Sequence, residues 1–459
     1  MFTAIINAVQ WVLDLGAVAM LPIMLTIFGL ILGQGFVKSF RAGLTVGIGF
    51  VGINLVIGLL TSGVGAAGAQ MVERLGVNLD ILDVGWPIAA AITFATPIAM
   101  ILIPSIFLLN ILLLAVNFTK TMDVDLWNYW HLIFPGAMVY YYTNSYVLAV
   151  GCALINTVVI LKLADWTAPT VEHEFGLPGI SLPHGETVNW APVTYTLNKI
   201  YDRIPGFNKI NITSTNLKDK IGFIGEPMVI GLVLGAAIGI LAGYGGKGVI
   251  NLAVQMGAVM VLLPKMVSLL MEGLMPISEG ARGFIQKRFP GKDVYIGLDA
   301  AICTGHPTVI TVAILMIPIT ILLAIILPWN RMLPLADLAV LPFTVIWAVA
   351  AARGNIIRAM VNSIVILAAI FFIATDLGEL STTLAHAVGF NFPEGATMIS
   401  GIDMSAHITV WIIIRLLGFL HGDMGAVFAG LFVLALYAGM WMWVRKDIRK
   451  TYESINKNS

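Results

Sequence analysis

Several titratable side chains stand where an apolar chain tolerates them least. Asp299 and His306 lie in GLDAAICTGHP, residues 297–307, directly before an apolar run, 308–327, long enough to cross a bilayer. A carboxylate at that depth costs about 2.5–3.5 kcal/mol on insertion scales unless it faces a partner or a water-filled cavity. The glycines and the proline also interrupt the helix, and irregular backbone at membrane depth is tolerated only where protein encloses it. The same arrangement recurs at Asp83 in DVGWP (83–87), which also carries Trp86, and at Glu226 in GEP (225–227). In each case a polar or acidic residue precedes a proline that opens an apolar run. Proline suits the first helical position, and the helix N-terminus leaves backbone N–H groups free to donate. A carboxylate there can cap its own helix. It can equally accept hydrogen bonds from ligand hydroxyls while the free N–H groups donate to others, and three such places in one chain favour a binding site.

A second group is DVDLWNYWH (123–131), which sets Asn128 and His131 among Trp127 and Trp130. Tryptophan belts at the membrane interface explain aromatics without a ligand. Tryptophan beside Asn and His is also what a polyhydroxylated ligand requires, with ring faces against C–H groups and polar tips on hydroxyls. His184 sits in a tight turn between Pro183 and Gly185. His386, His407 and His421 read as loop or interface residues. No GxxxxGK[ST] loop and no HExxH spacing occurs, so neither ATP hydrolysis nor a metal site is expected, and no cofactor is called for. Cys152 and Cys303 lie in apolar surroundings and imply neither a disulfide nor a zinc site.

These residues must be positioned by membrane helices. Of 459 residues, 59% are hydrophobic and 11% charged, against about 25% charged in a soluble domain. Lys plus Arg equals Asp plus Glu at 25 each, which argues against a nucleic-acid partner. The first apolar run lacks a basic leader and continues past Leu32, so it reads as a transmembrane helix rather than a signal peptide. The expected fold is an all-α polytopic membrane protein of ten to twelve hydrophobic segments, some broken or re-entrant. The stretch 83–116 exceeds one crossing of a ~30 Å core, with Pro97 and Pro104 as its breaks. A single membrane domain, 1–450, precedes a tail, 451–459. Proline, four-spaced glycines and a basic turn around 22–60 are echoed after Pro227, the trace that inverted repeats leave in transporters. The halves are placed roughly at 10–163 and 221–375, with a polar insert, 164–220, between them. Basic clusters at 282–292 and in the tail assign that loop and the C-terminus to the cytoplasm.

At these residues the chain resembles the galactitol-specific enzyme IIC family of the bacterial phosphotransferase system, within an ascorbate–galactitol group. TVGIGFVG (45–52), DVGWP, VDLWNYWH, LPHG (182–185), FIGEP, ILAGY (240–244), IGLDAAICTGHP and RGN (353–355) carry the likeness by their order and spacing. The resemblance implies a homodimer in the inner membrane, a dimerisation domain, and a core domain that carries a sugar alcohol by an elevator-like motion. It also implies phosphorylation of the substrate by a separate enzyme IIB, charged on cysteine and supplied by IIA. Carried onto this chain, Asp83, Trp86, Asn128, His131, His184, Glu226, Asp299 and His306 form the expected site. Glu226 and Asp299 are its candidate proton acceptors. A proton- or cation-coupled secondary transporter of a polyol or sugar is the rival reading, since the same acids suit ion coupling.

Overall fold

A computed structural model describes residues 16–60, 62–63, 66–75, 79–210, 212–213, 227–288, 294–334, 336–390 and 397–456. Of the described residues, 76% are helical. Helices α1 (Gly16–Ile31), α2 (Phe36–Leu60) and α3 (Ala66–Leu75) precede strand β1 (Ile81–Asp83). Then follow α4 (Trp86–Phe94), α5 (Ala99–Ala115), β2 (Thr121–Asp123), α6 (Tyr129–Thr143), α7 (Tyr146–Phe175), β3 (Ile180–Ser181), α8 (Gly185–Val188) and α9 (Ala191–Tyr201). After it come α10 (Pro227–Ala242), α11 (Gly246–Arg288), β4 (Tyr295–Gly297), α12 (Ala301–Thr304), α13 (Pro307–Ile326) and β5 (Met332–Leu333). The last part holds α14 (Leu341–Thr344), α15 (Ile346–Ala351), α16 (Ile356–Asp376), α17 (Gly378–Ala387), β6 (Met398–Ser400), α18 (Ile402–Ser405), α19 (Ile408–Leu416) and α20 (Met424–Asn456).

By length and composition, α7, α13, α16 and residues 424–448 of α20 suffice to cross a membrane. Shorter apolar helices accompany them, among them α5 and α19. The large apolar side chains that α20 exposes, such as Phe428 and Phe432, suit contact with lipid tails rather than water. Pro87, Pro227 and Pro307 stand in the first or second position of α4, α10 and α13, where a missing N–H is harmless.

The all-α expectation needs correcting. Six two- or three-residue strands form two parallel sheets, ordered β5-β1-β6 and β2-β4-β3. Ile81 pairs with both Met332 and Met398, and Ile296 pairs with Met122 and Ile180. Such short strands are stable here because protein encloses them and each satisfies its neighbour's backbone groups. Pro104 does not break a helix as expected. It lies inside α5, and the chain turns instead at 95–98, around Pro97. The insert expected from residue 164 begins later: α7 runs on to Phe175, where Gly176 in the left-handed region ends it. Within that same segment, β3 joins the second sheet. The residues after 450 continue α20 to Asn456, since no glycine or proline stops the helix there.

Helices α1, α2, α10 and α11 pack chiefly on one another. A Cβ on Gly235 would lie 2.6 Å from the Leu252 carbonyl, so a side chain there would force α10 away from α11. The remaining helices surround the two sheets, and the strands' C-terminal ends point into the protein's most polar interior.

Candidate substrate site

His184 follows β3 and precedes α8. Its Nδ1 lies 3.1 Å from Asp299 Oδ2 and its Nε2 lies 3.3 Å from Glu186 Oε2. Asp299, two residues past β4, is fixed by the Ala301 N–H, which donates to its Oδ1 at 2.7 Å. Its own N–H donates to Asp125 Oδ2 at 3.1 Å. Glu186 takes a longer bond, 3.4 Å, from Thr344 Oγ1. Ionised carboxylate oxygens only accept, so both ring nitrogens of His184 carry protons and the ring is an imidazolium clamped between two acids.

His131 comes from the first turn of α6, and its ring centroid lies 4.1 Å from that of His184. Gly185 makes this approach possible: a Cβ there would lie 2.9 Å from His131 Cβ. Asn128, just before α6, donates to Asp123 Oδ1 at 3.1 Å and so ties the helix start to the end of β2. On its far side, His131 Nδ1 lies 3.0 Å from His407 Nε2 and 3.9 Å from Asp403 Oδ1. Asp403 follows β6 on α18, and His407 precedes α19. All six groups of this cluster are nearly sealed from solvent, with exposures of 1% for His131 and His407, 2% for Glu186, and 3% for His184, Asp299 and Asp403.

A second acidic set braces the other sheet. Asp83 Oδ2 accepts the Asp337 N–H at 2.7 Å and its Oδ1 accepts the Gly85 N–H at 3.1 Å. Asp337 in turn accepts the N–H groups of Trp86, at 2.9 Å, and Asp403, at 3.1 Å. Asp83 is thus joined to the histidine cluster through Asp337 and Asp403. The Trp86 indole stands edge-on to Trp127 at 5.6 Å.

Of the residues singled out from sequence, the structure gathers His131, His184 and Asp299 in the cluster, with Asn128 bound beside it. His306 stands apart. Its carbonyl accepts the Ile310 N–H at 3.0 Å at the start of α13, its ring is edge-on to Phe175 at 5.5 Å, and no described hydrogen bond joins it to the cluster. Glu226 lies outside the described residues. Glu186, Asp337, Asp403 and His407 were not singled out. A signal for two of them was present: GID (401–403), directly after β6 and leading to His407, repeats GLD (297–299), at the end of β4 and leading to His306.

What the arrangement can do follows from its unpaired atoms. Among the described residues, His131 Nε2, Asp403 Oδ1, Asn128 Oδ1, Asp123 Oδ2 and Asn189 Oδ1 are buried without a hydrogen-bond partner. Each such atom costs about 1–3 kcal/mol. These five can accept, while Trp130 Nε1, on a ring 3.9 Å from that of His131, is a buried donor without a partner; polyol hydroxyls, which both donate and accept, answer both needs. The donor atoms of His131, Asp403 and His407 also fall within 4.8 Å of one another. Two nitrogens on one tetrahedral zinc, about 2.0–2.1 Å from it, stand about 3.4 Å apart. The 3.0 Å between His131 and His407 is instead hydrogen-bond spacing.

Comparison with known proteins identifies the family. A family model described as "PTS system sugar-specific permease component" (EIIC-GAT) matches residues 11–395. The chain is 39% identical over 409 residues to the "PTS system galactitol-specific EIIC component" of Escherichia coli (strain K12), covering 89% of this chain and 90% of that protein. The protein of the same description from Escherichia coli O157:H7 matches with the same figures. A match of this extent, to a chain whose helices enclose a sealed, acceptor-rich cluster, makes this protein a member of the EIIC-GAT family of sugar-specific permease components of the phosphotransferase system.

Proposed function

We propose that this permease binds galactitol in the histidine–carboxylate cluster, carries it across the bacterial inner membrane and presents it to a separate phosphorylated IIB. The observation that carries the reading is the set of buried acceptors around His131 and His184, matched to a relative described as galactitol-specific. A hexitol offers hydroxyls along its whole length and no charge. The clamped His184, whose two N–H groups go to Asp299 and Glu186, lends the pocket its positive charge, while Asn128, Asp403 and His131 accept. Asp299 and Glu226 are the carboxylates placed by sequence as proton acceptors, and Asp299 acts first by fixing His184. IIB is charged on cysteine by IIA and docks on the cytoplasmic side, where the C-terminus lies.

The helices α1, α2, α10 and α11 form the dimerisation domain of a homodimer, and the sheet-bearing remainder moves as the elevator. Their segregated packing supports that division. The chain consists of two related halves, each running helices, strand, broken helix, strand, helices, strand. Strand pairing supports this: β1 of the first half sits between β5 and β6 of the second, and β4 of the second sits between β2 and β3 of the first.

The test is uptake of labelled galactitol in everted and right-side-out vesicles. Product that accumulates only as a phosphate, and only with IIB and IIA present, supports the reading. Free galactitol accumulating on a proton or cation gradient alone refutes it and leaves the secondary transporter.

A further inference from the structure

Phosphoryl transfer to a hydroxyl needs a group to take the hydroxyl proton, and the hydrogen-bond directions inside the cluster identify one. Asp299 is poorly placed for this, since one oxygen accepts the Ala301 N–H and the other faces His184. The chain of bonds through His407 is more informative. His407 Nδ1 lies 3.2 Å from the Met404 carbonyl. A carbonyl only accepts, so His407 carries its proton on Nδ1. Among the described residues no carboxylate lies within salt-bridge distance of His407, and a buried unpaired cation is costly. His407 is therefore neutral, and its Nε2 presents a lone pair. That lone pair faces His131 Nδ1 at 3.0 Å, so His131 must donate from Nδ1. The consequence lies at the other end of the ring: His131 Nε2 is left as a bare lone pair, buried and without a partner.

We infer that His131 Nε2 is the general base of the reaction and that His407 is the positioning residue that fixes its tautomer. This deepens the phosphoryl-transfer reading above and rests on it. As the terminal hydroxyl oxygen of the polyol attacks the phosphorus of the donor's thiophosphate ester, the O–P bond forms and the P–S bond breaks. The sulfur leaves with the bonding pair as a thiolate, and the hydroxyl proton passes to His131 Nε2. The resulting imidazolium keeps its Nδ1 bond to His407, and Asp403 Oδ1, an acceptor without a partner, lies 3.9 Å from Nδ1. The other titratable groups facing it are the His184 imidazolium, which opposes protonation, and Glu186 and Asp299, which largely neutralise that cation. A lone pair held by a backbone carbonyl two bonds away remains an acceptor at neutral pH, and it needs no separate proton to leave before substrate binds.

The experiment uses the full-length permease in everted vesicles with saturating phospho-IIB, and galactitol binding is measured separately on the purified protein. The expected result for His131→Gln is phosphorylation at saturating galactitol slowed by about 100-fold or more, the range that general bases contribute, with a smaller loss of galactitol affinity from the acceptor removed. A folded variant that binds galactitol and phosphorylates it at the wild-type rate overturns the inference. Wild-type protein that phosphorylates no polyol at all would instead sink the broader reading. Should His131→Gln fail to fold, His407 decides. His407→Leu removes the acceptor that fixes the tautomer, and His407→Gln can restore one. The expected result is a base limb of the pH–rate profile displaced in His407→Leu and largely recovered in His407→Gln, with KM little changed. A limb unmoved in folded His407→Leu overturns the proposal. So does one equivalent of a transition metal in active wild-type protein whose removal abolishes phosphorylation, because the cluster would then be a metal centre.

Discussion

Replacing Asp299 by Asn isolates one function of this carboxylate from another. Asn keeps an oxygen for the Ala301 N–H, so the turn into α12 survives. The other branch becomes an amide N–H that meets His184 Nδ1, and the charge-assisted bond at 3.1 Å is lost. His184 then gives up its Nδ1 proton and keeps only Glu186, at 3.3 Å. A hydrogen bond to a charged group contributes about 1.5–3 kcal/mol. At about 1.4 kcal/mol per factor of ten, galactitol affinity should fall about 10- to 150-fold. Phosphorylation at subsaturating galactitol should fall by at least as much. Calorimetric titration in nanodiscs gives the affinity, the vesicle assay gives the rate, and size-exclusion with thermal unfolding checks the fold. A folded variant with affinity and rate within about threefold of wild type would refute the clamp and reduce Asp299 to a helix cap.

Three further outcomes are expected. Gly185→Ala places a methyl 2.9 Å from His131 Cβ and 3.4 Å from His407 Nε2, so it should destabilise by about 1–3 kcal/mol and abolish binding. Gly151→Ala, where no atom lies within 4 Å of the added carbon, should do neither, and equal effects in thermal unfolding and titration would contradict the packing argument. Asp337→Ala strands the N–H groups of Trp86 and Asp403 and should cost about 2–6 kcal/mol in all. Asp337→Asn should cost clearly less, and equal unfolding temperatures for the two variants would disprove the bracing role. The Arg331 guanidinium hydrogen-bonded to Asp80 holds its carboxyl below the usual carboxylate range. Because the folded-state value is the lower one, that stabilisation is complete above the unfolded-state value near 4 and fades as pH falls through the folded-state value. Both side chains are nearly half exposed, so the Asp80→Asn difference should be about 0.5 kcal/mol or less at pH 7 and vanish in acid; a gap that widens on acidification would reverse the sign.

Much of the site was legible because charge in an apolar chain is conspicuous. Asp299, His184 and His131 stood out on that ground alone and proved to be neighbours, though they come from three distant segments. Proline at helix starts was equally readable, since its missing N–H restricts where it fits. The strands were not. Two or three residues cannot display a period of two, and their partners lie in the other half of the chain. His407 was missed for a related reason: ISGIDMSAH reads as a polar loop until β6 is seen to pair with β1, which carries Asp403 and His407 inward. His306 misled in the opposite sense. It shares the Gly-x-Pro setting of Trp86, yet its side chain turns to Phe175.

The interleaved sheets also set a timetable for biogenesis. β1 enters the membrane with neither flanking strand yet made, because Met332 and Met398 are synthesised far later. At about 5–20 residues per second, its backbone groups wait on the order of ten seconds or more for their permanent partners. Through that interval, translocon, lipid headgroups or an insertase must shelter an unsatisfied edge. A ribosome that stops before β6 releases a chain whose first sheet lacks one side and whose Asp403 and His407 never arrive, so quality control can recognise the truncated product by its open edge.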